Sequence, residues 1–153
     1  MLEGRHYQNA FITRDIEKGI ESFQRHANVR SIMRHEGDVN VRTPKGEGAA
    51  NNKIAFIWVD NIQYELIQPV SGLVDMYADE LPEDDSMKFH HICMRVPDWT
   101  DFRARAEEGP FPIVYEGGSD HLRFLYLDAR PVFGHYLEYT WMGDEMWTRM
   151  GGL

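Results

Sequence analysis

The chain has 153 residues, of which 42% are hydrophobic and 27% charged, so it can bury the core of one domain and is not typical of a disordered protein. Sixteen Lys and Arg against 25 Asp and Glu give a net charge of −9, which argues against a nucleic-acid surface and against docking on anionic membranes. A single cysteine, Cys93, excludes a disulfide within the chain, and no apolar run reaches transmembrane length, so we expect a cytoplasmic protein.

The first half of the sequence predicts a strand, a helix and three further strands. A strand at 6–13 precedes a helix at 15–27, in which Asp15 is the expected N-cap and apolar residues recur at helical spacing. The further strands are predicted at 29–36, 53–60 and 62–69. Residues 37–52 are rich in Gly and Asn, and we expect them to form an exposed loop.

The second half repeats this order of elements after a linker at 70–87. A strand at 88–96 leads into a helix at 98–109, which again begins at an aspartate, Asp98. The remaining strands are predicted at 112–117, 122–128 and 134–141. The tail at 143–153 is expected to contain a short helix that packs its Met and Trp residues against the core.

The repeat is also visible in individual residues. QNAFITRD (8–15) and HICMRVPD (91–98) both run seven residues from a polar position to the Asp that opens a helix, and YEL (64–66) corresponds to LEY (137–139). We therefore predict an α+β fold of two βαβββ modules, whose eight mixed strands form a cupped half-barrel cavity. The single domain 1–153 divides into module one at about 5–69, a linker at 70–87, module two at about 88–142 and a tail at 143–153.

Four polar residues lie in the middle of these strands, where apolar core residues are expected: Gln8, Glu65, His91 and Glu138. A buried carboxylate is costly unless it is paired or binds a metal. In the repeat Gln8 corresponds to His91 and Glu65 to Glu138, so a pseudo-twofold arrangement of the modules brings all four to one place. Two neutral donors and two carboxylates balance one divalent cation, and the set suits Zn, Ni, Co, Mn or Fe.

Four segments of the sequence resemble the vicinal oxygen chelate superfamily, which includes glyoxalase I, methylmalonyl-CoA epimerase, extradiol dioxygenases and the fosfomycin and bleomycin resistance proteins. These segments are QNAFITRDIEKGIESF, YELIQP, FHHICMRV and GHYLEY. The resemblance places Gln8, Glu65, His91 and Glu138 on the family's metal-ligand positions. It implies a metal-dependent lyase or isomerase that removes a proton alpha to a carbonyl, with Glu138 as first choice of base and Glu65 as second base or returning acid.

Neighbouring positions are expected to bind a small apolar or aromatic substrate: His6, Trp58, Cys93, Phe124, Tyr126 and Tyr136. Two other functions stay open. One is a metal-free member that sequesters a small molecule, and the other is an extradiol-type dioxygenase, which requires His6 rather than Gln8 at the metal. The resemblance also implies a homodimer, and the sequence does not decide whether each site lies within one chain or is shared between two.

Overall fold

The computed structural model describes residues 2–153 and has a mixed α+β architecture, as the sequence predicts. Its strands are β1 Arg5–Ile12, β2 Val29–His35, β3 Asp38–Thr43, β4 Gly46–Val59, β5 Ile62–Gly72, β6 Lys88–Arg95, β7 Ile113–Gly118, β8 Leu122–Leu127 and β9 Tyr136–Met142. Its helices are α1 Ile16–His26, α2 Asp75–Ala78, α3 Trp99–Glu108, α4 Arg130–Phe133 and α5 Asp144–Arg149. None of the helices in this part of the chain is long and apolar enough to cross a membrane.

The strands close into a barrel. β4 pairs with β3 and also with β5, and the order then runs β5, β1, β6, β9, β8, β7 back to β3. β2 and β3 follow one another along the same edge of the long strand β4, so the barrel has the eight strand positions that the sequence predicts. Closure buries the inward face of each strand and leaves room for a cavity between them.

Residues 37–52 correct one prediction, because they form a hairpin and not an exposed loop. β3 and the first part of β4 pair in antiparallel register from Asp38–Asn51 to Thr43–Gly46. Val41 and Ala50 alternate with more exposed neighbours and are buried in the core. This alternation is typical of a strand with one buried face. The loop was predicted instead because the segment is rich in Gly and Asn.

The two halves of the barrel use the same local devices. Asp15 caps α1 by accepting a hydrogen bond from the Lys18 amide at 3.1 Å, and Asp98 caps α3 through the Asp101 amide at 3.0 Å. β1 pairs in parallel with β5, β6 pairs in parallel with β9, and β1 meets β6 antiparallel at the centre. The division of residues 1–153 into modules, linker and tail stays a prediction.

The C-terminal segment covers one end of the barrel. Trp147 of α5 packs edge-on against Tyr7 and Trp58, with ring centroids 5.0 and 5.8 Å apart. The Trp58 indole nitrogen donates to the carbonyl of Met150 at 2.7 Å. These contacts confirm the short packed helix that was expected in the tail, and they fix this end of the cavity.

Candidate metal centre

Four adjacent strands each contribute one polar side chain to a buried cluster, which we call the polar centre: Gln8 of β1, Glu65 of β5, His91 of β6 and Glu138 of β9. The His91 Nε2 atom lies 3.0 Å from Glu138 Oε2 and 3.4 Å from Glu65 Oε2. All four residues are buried, and His91 has no exposed surface. One chain therefore brings together the complete set of residues that the repeat predicts to meet.

The side-chain amide of Gln8 completes a ring of contacts around the polar centre. One end of the amide lies 2.6 Å from Gln63 Oε1, and the other end faces the carboxylates of Glu65 and Glu138. With the nitrogen turned toward the carboxylates, the contacts are 3.1 Å to Glu65 and 3.2 Å to Glu138. With the oxygen there, three oxygens face one another, which is favourable only around a cation.

The donor set of the polar centre fits a divalent cation. One ligand atom from each of Glu65, His91 and Glu138 lies within 4.8 Å of the other two. Adjacent ligands of an ion bound at about 2.1 Å are roughly 3.0 to 3.4 Å apart, which is the range of the two contacts that His91 makes with the glutamates. Oxygen and imidazole donors without a thiolate suit first-row divalent ions. These buried residues can therefore hold a metal.

Burial and hydrogen bonding oppose one another in the electrostatics of the polar centre. Burial raises the pKa of Glu65, an effect that its hydrogen bond with His91 partly offsets. Burial disfavours the charged form of His91, but hydrogen bonds to Glu138 and Glu65 prevail and raise its pKa to about 9. Without a metal, the imidazolium ring is therefore the positive charge that holds the two carboxylates together.

A second histidine fixes the orientation of the His91 ring. His90 Nε2 lies 3.1 Å from the carbonyl of Met76, which only accepts, so this nitrogen carries the proton. Burial lowers the pKa of His90 to about 3, so the ring is neutral and its Nδ1 is an acceptor. The Nδ1 atoms of His90 and His91 are 2.8 Å apart. His91 therefore donates from Nδ1 and keeps Nε2 directed at the carboxylates.

We expect His90→Phe to weaken the binding of a divalent cation by about ten- to hundredfold, because His91 loses the acceptor that orients it. The phenyl ring retains the stacking of His90 on Tyr136, where the ring centroids are 4.8 Å apart. His90→Gln retains an acceptor and should lose less affinity. Isothermal titration with Zn²⁺ measures the affinity of both variants. Equal affinity of His90→Phe and the wild type contradicts the role of His90 in orienting His91.

A cavity of about 880 Å³ opens from the polar centre toward the surface. Glu65 and Glu138 line it, whereas His91 lies behind them. The wall is largely apolar and aromatic, and its Phe, Tyr and Trp members are Tyr7, Phe56, Tyr77, Trp99, Tyr115, Phe124 and Tyr126. The size and the apolar lining are typical of a small-molecule site with a few polar groups at one end.

The candidate substrate residues fall into two groups in the structure. Phe124 and Tyr126 line the cavity, and the Tyr126 hydroxyl lies 3.4 Å from His91 Nε2. Trp58, Cys93 and Tyr136 do not line it, because they are buried in the surrounding core. Trp58 packs beneath the C-terminal segment, Tyr136 packs between other side chains, and burial raises the pKa of the Cys93 thiol far above its usual value.

His6 lies outside the cavity, which corrects the prediction that it contributes to the substrate site. A β-bulge between His6 and Gln8 shifts the pairing of β1 with β6 and breaks the alternation of faces. His6 is exposed and its ring hydrogen-bonds Asn9 at 2.8 Å, whereas Tyr7 points inward and lines the cavity. Nothing in the local sequence marks this bulge.

The sequence profile of the Glyoxalase/Bleomycin resistance protein/Dioxygenase superfamily matches residues 7–126. The chain belongs to this superfamily. The matched region contains Gln8, Glu65 and His91 of the polar centre, and the resemblance that the sequence motifs indicate is thereby confirmed. A comparison with curated protein sequences gave no match.

Solved structures with the same fold span nearly the whole chain. A hypothetical protein, BH1468 from Bacillus halodurans C-125, matches with a TM-score of 0.66 and 14% identity over 92% of this chain and 95% of its own. Methylmalonyl-CoA epimerase from Mycobacterium tuberculosis matches with a TM-score of 0.63 and 14% identity over 97% of both chains. A Streptomyces coelicolor methylmalonyl-CoA epimerase variant, in complex with 2-nitronate-propionyl-CoA, matches with a TM-score of 0.60, 13% identity and coverage of 92% and 98%. At such low identity these matches establish the fold.

Proposed function

We propose that this protein is a metal-dependent lyase or isomerase of the glyoxalase or epimerase type, which moves a proton on the carbon alpha to a carbonyl of a small substrate. The observation that carries the proposal is the polar centre, where two carboxylates, an imidazole and an amide meet at the inner end of an apolar cavity. Structural neighbours that are methylmalonyl-CoA epimerases support the same class of reaction.

Gln8, Glu65, His91 and Glu138 are the residues that would hold the cation. When bound, a divalent cation supplies a Lewis acid that stabilises negative charge on two neighbouring substrate oxygens. The neutral amide of Gln8 adds no charge to the donor set, so two glutamates balance the ion. His91 has no exposed surface, so its role is to bind and position, whereas the glutamates reach the cavity.

Glu138 is our candidate for the base that removes the alpha proton, and Glu65 for the second base or for the acid that returns the proton. Both carboxylates line the cavity and both contact His91, from β5 and β9, which flank the central β1–β6 pair. Burial raises the pKa of Glu65, which favours a carboxyl that can carry a proton between steps. The apolar wall keeps water away from the carbanion that forms during the transfer.

Metal analysis of the protein purified without added ions tests the first part of the proposal. We expect about one divalent ion per chain in the wild type and almost none in Glu138→Ala. The absence of metal in both proteins, together with no uptake of added Zn²⁺, Ni²⁺, Co²⁺ or Mn²⁺, favours the metal-free sequestering protein. In that case the Gln8 amide nitrogen and the His91 imidazolium satisfy the two carboxylates.

Solvent deuterium exchange tests the chemistry. The loaded protein should introduce deuterium from D₂O at the alpha carbon of a compound with two neighbouring oxygens, such as 2-hydroxyacetophenone, or of methylmalonyl-CoA, with proton NMR as the readout. We expect Glu138→Gln to lower the exchange rate by at least about a hundredfold, because the change removes both the candidate base and a ligand of the cation. A loaded wild type that binds these compounds and exchanges no proton contradicts the proposed reaction.

The remaining proposals concern assembly and location. We propose a homodimer and a cytoplasmic location, as the sequence predicts, with a small molecule as the partner at the site. All four residues of the polar centre come from one chain, so a second chain is not needed to complete it. The dioxygenase alternative required His6 at the metal, and the exposed position of His6 removes that support.

A further inference from the structure

One buried polar side chain in the wall of the cavity, remote from the polar centre, has an unpaired atom. Asn52 of β4 lines the cavity and is only 7% exposed, yet its side-chain oxygen has no hydrogen-bond partner within the described chain. A buried acceptor without a partner is costly, and buried polar groups in folded proteins are nearly always paired. The unpaired oxygen therefore marks a position where a bound small molecule can place a hydrogen-bond donor.

The Asn52 amide is held in place by its neighbour. The Asn52 side chain lies close to the Tyr115 hydroxyl. Burial raises the pKa of that hydroxyl, and Asn52 partly lowers it again, as a hydrogen-bond donor does. The Tyr115 ring packs edge-on against Tyr77 and Tyr126, with centroids 5.8 and 5.4 Å apart. The amide nitrogen is thus directed at Tyr115, and the oxygen, which is unpaired within residues 2–153, is the end that remains for a ligand.

The position of Asn52 along β4 sets the distance to the polar centre. Phe56 pairs directly with Glu65, and Asn52 lies four residues earlier on the same strand. Four residues of extended strand span about 13 Å. Ile54 and Phe56 line the cavity between the two polar groups, with Phe124 and Tyr126 from β8. A ligand that reaches both ends therefore needs a flat or apolar body of about two rings.

The arginines around the cavity are paired with carboxylates, which disfavours a strongly anionic ligand body. The arginines that line it within residues 2–153 are Arg34, Arg42, Arg103, Arg123 and Arg149. Each has a carboxylate partner, at nitrogen–oxygen distances from 2.5 to 3.8 Å. Arg42 and Arg103 both contact the buried carboxylate of Glu116. Cations that are already paired give little net attraction to a polyphosphate chain.

We propose that the cavity takes an uncharged aromatic substrate, whose hydroxyl or amino donor binds the side-chain oxygen of Asn52 while two neighbouring oxygens at its other end face the polar centre. This inference rests on the proposed function for the orientation of the substrate. The Asn52 subsite itself depends only on the cavity and on the unpaired oxygen.

A matched pair of ligands tests the subsite in the Zn²⁺-loaded protein. The probes are 4′-hydroxybiphenyl-4-carbohydroxamic acid, which carries a donor about 13 Å from the metal-binding end, and its 4′-methyl analogue, which does not. We expect the hydroxyl compound to bind about tenfold more tightly to the wild type, because the methyl group leaves the Asn52 oxygen unpaired. The preference should disappear in Asn52→Leu and persist in Ile54→Leu, a matched apolar change in the same wall.

Two further measurements keep the outcome clear. Should Asn52→Leu fail to fold, Tyr115→Phe tests the same contact, because it releases the amide and should lower the preference at least about threefold. The pair 4-phenylphenol and 4-methylbiphenyl, titrated into the metal-free protein, tests the subsite without the cation. A preference for the phenol that depends on Asn52 supports the Asn52 subsite. If the hydroxamates then fail to bind the loaded protein, only the proposed function is overturned. Equal binding of both pairs to the wild type overturns the Asn52 subsite.

Discussion

Replacing Glu138 by Gln is expected to abolish tight cation binding and to leave the metal-free protein at least as stable as the wild type. The metal-free polar centre holds two carboxylates and one imidazolium, because the pKa of His91 is raised to about 9. Removing one carboxylate leaves Glu65 and His91 as a balanced buried pair, 3.4 Å apart. The same change removes a charged ligand. This should lower cation affinity by more than the hundredfold expected for loss of a residue, such as His90, that only orients a ligand.

His91→Gln is expected to make the metal-free protein less stable than the wild type. The carboxylates of Glu65 and Glu138 then lie within 4.8 Å of one another with no cation between them. Their repulsion is about 3 kcal/mol at an effective dielectric constant near 20, and uptake of a proton by one carboxyl limits the loss. The free energy of unfolding of metal-free His91→Gln should therefore fall at neutral pH and recover toward acidic pH.

Chemical unfolding with and without Zn²⁺ measures both effects, alongside metal analysis. Glu116→Gln is the matched control, because Glu116 is also buried and paired with Arg42 and Arg103 but lies outside the polar centre. We expect it to take up the cation as the wild type does. Unchanged cation uptake by Glu138→Gln, or a large loss of stability in its metal-free form, contradicts the balance of charges described above.

The topology and the polar centre could be predicted from the sequence because duplication leaves a repeated pattern. The Asp that caps each helix and the mid-strand positions of Glu65 and Glu138 recur in the same order in both halves. A charged residue among apolar strand neighbours is rare without a partner, so its face can be read from the alternation alone. Pairing of β1 with both β5 and β6 then brings these residues together.

The face of His6 and the hairpin at 37–52 could not be predicted because they depend on register. A one-residue bulge in β1 turns Tyr7 inward and His6 outward, and a bulge has no signature when the flanking residues are polar. The hairpin is stabilised by pairing of β3 with β7 from the other half of the barrel, a contact that local composition does not reveal. Pairing with distant strands thus determines both the face of His6 and the hairpin at 37–52.

The walls of the cavity were predicted only in part, since the closure of the barrel decides which inward side chains meet open space. Trp58 and Phe56 lie on the inward face of β4. The C-terminal segment covers Trp58, so of these two residues Phe56 alone lines the cavity. Asn52 lay in the supposed loop and was therefore missed. Its signal in the sequence was a polar residue two positions before Ile54 on the same face of an extended strand.

Cation binding should release about one proton per site at neutral pH. At pH 7 the His91 ring is protonated in the metal-free protein, because its pKa is raised to about 9, and Nε2 must lose this proton before it can bind an ion. Protons therefore compete with the cation below about pH 9, so affinity should rise about tenfold per pH unit from about pH 6 to about pH 8. The imidazolium stabilises the metal-free carboxylates at low pH, and the cation replaces it at high pH.

Titration calorimetry with Zn²⁺ in two buffers of different ionisation enthalpy measures the released proton directly. The apparent binding enthalpy should differ between the buffers by about one buffer ionisation enthalpy in the wild type. His91→Gln should bind more weakly, and at a pH where Glu65 and Glu138 are both ionised it should show little difference between the buffers, because its amide carries no proton to lose. If the wild-type affinity is independent of pH, or if the binding enthalpy does not depend on the buffer, cation binding does not displace a proton from His91. The imidazolium then cannot be the charge that balances Glu65 and Glu138, although these residues still lie in contact with His91.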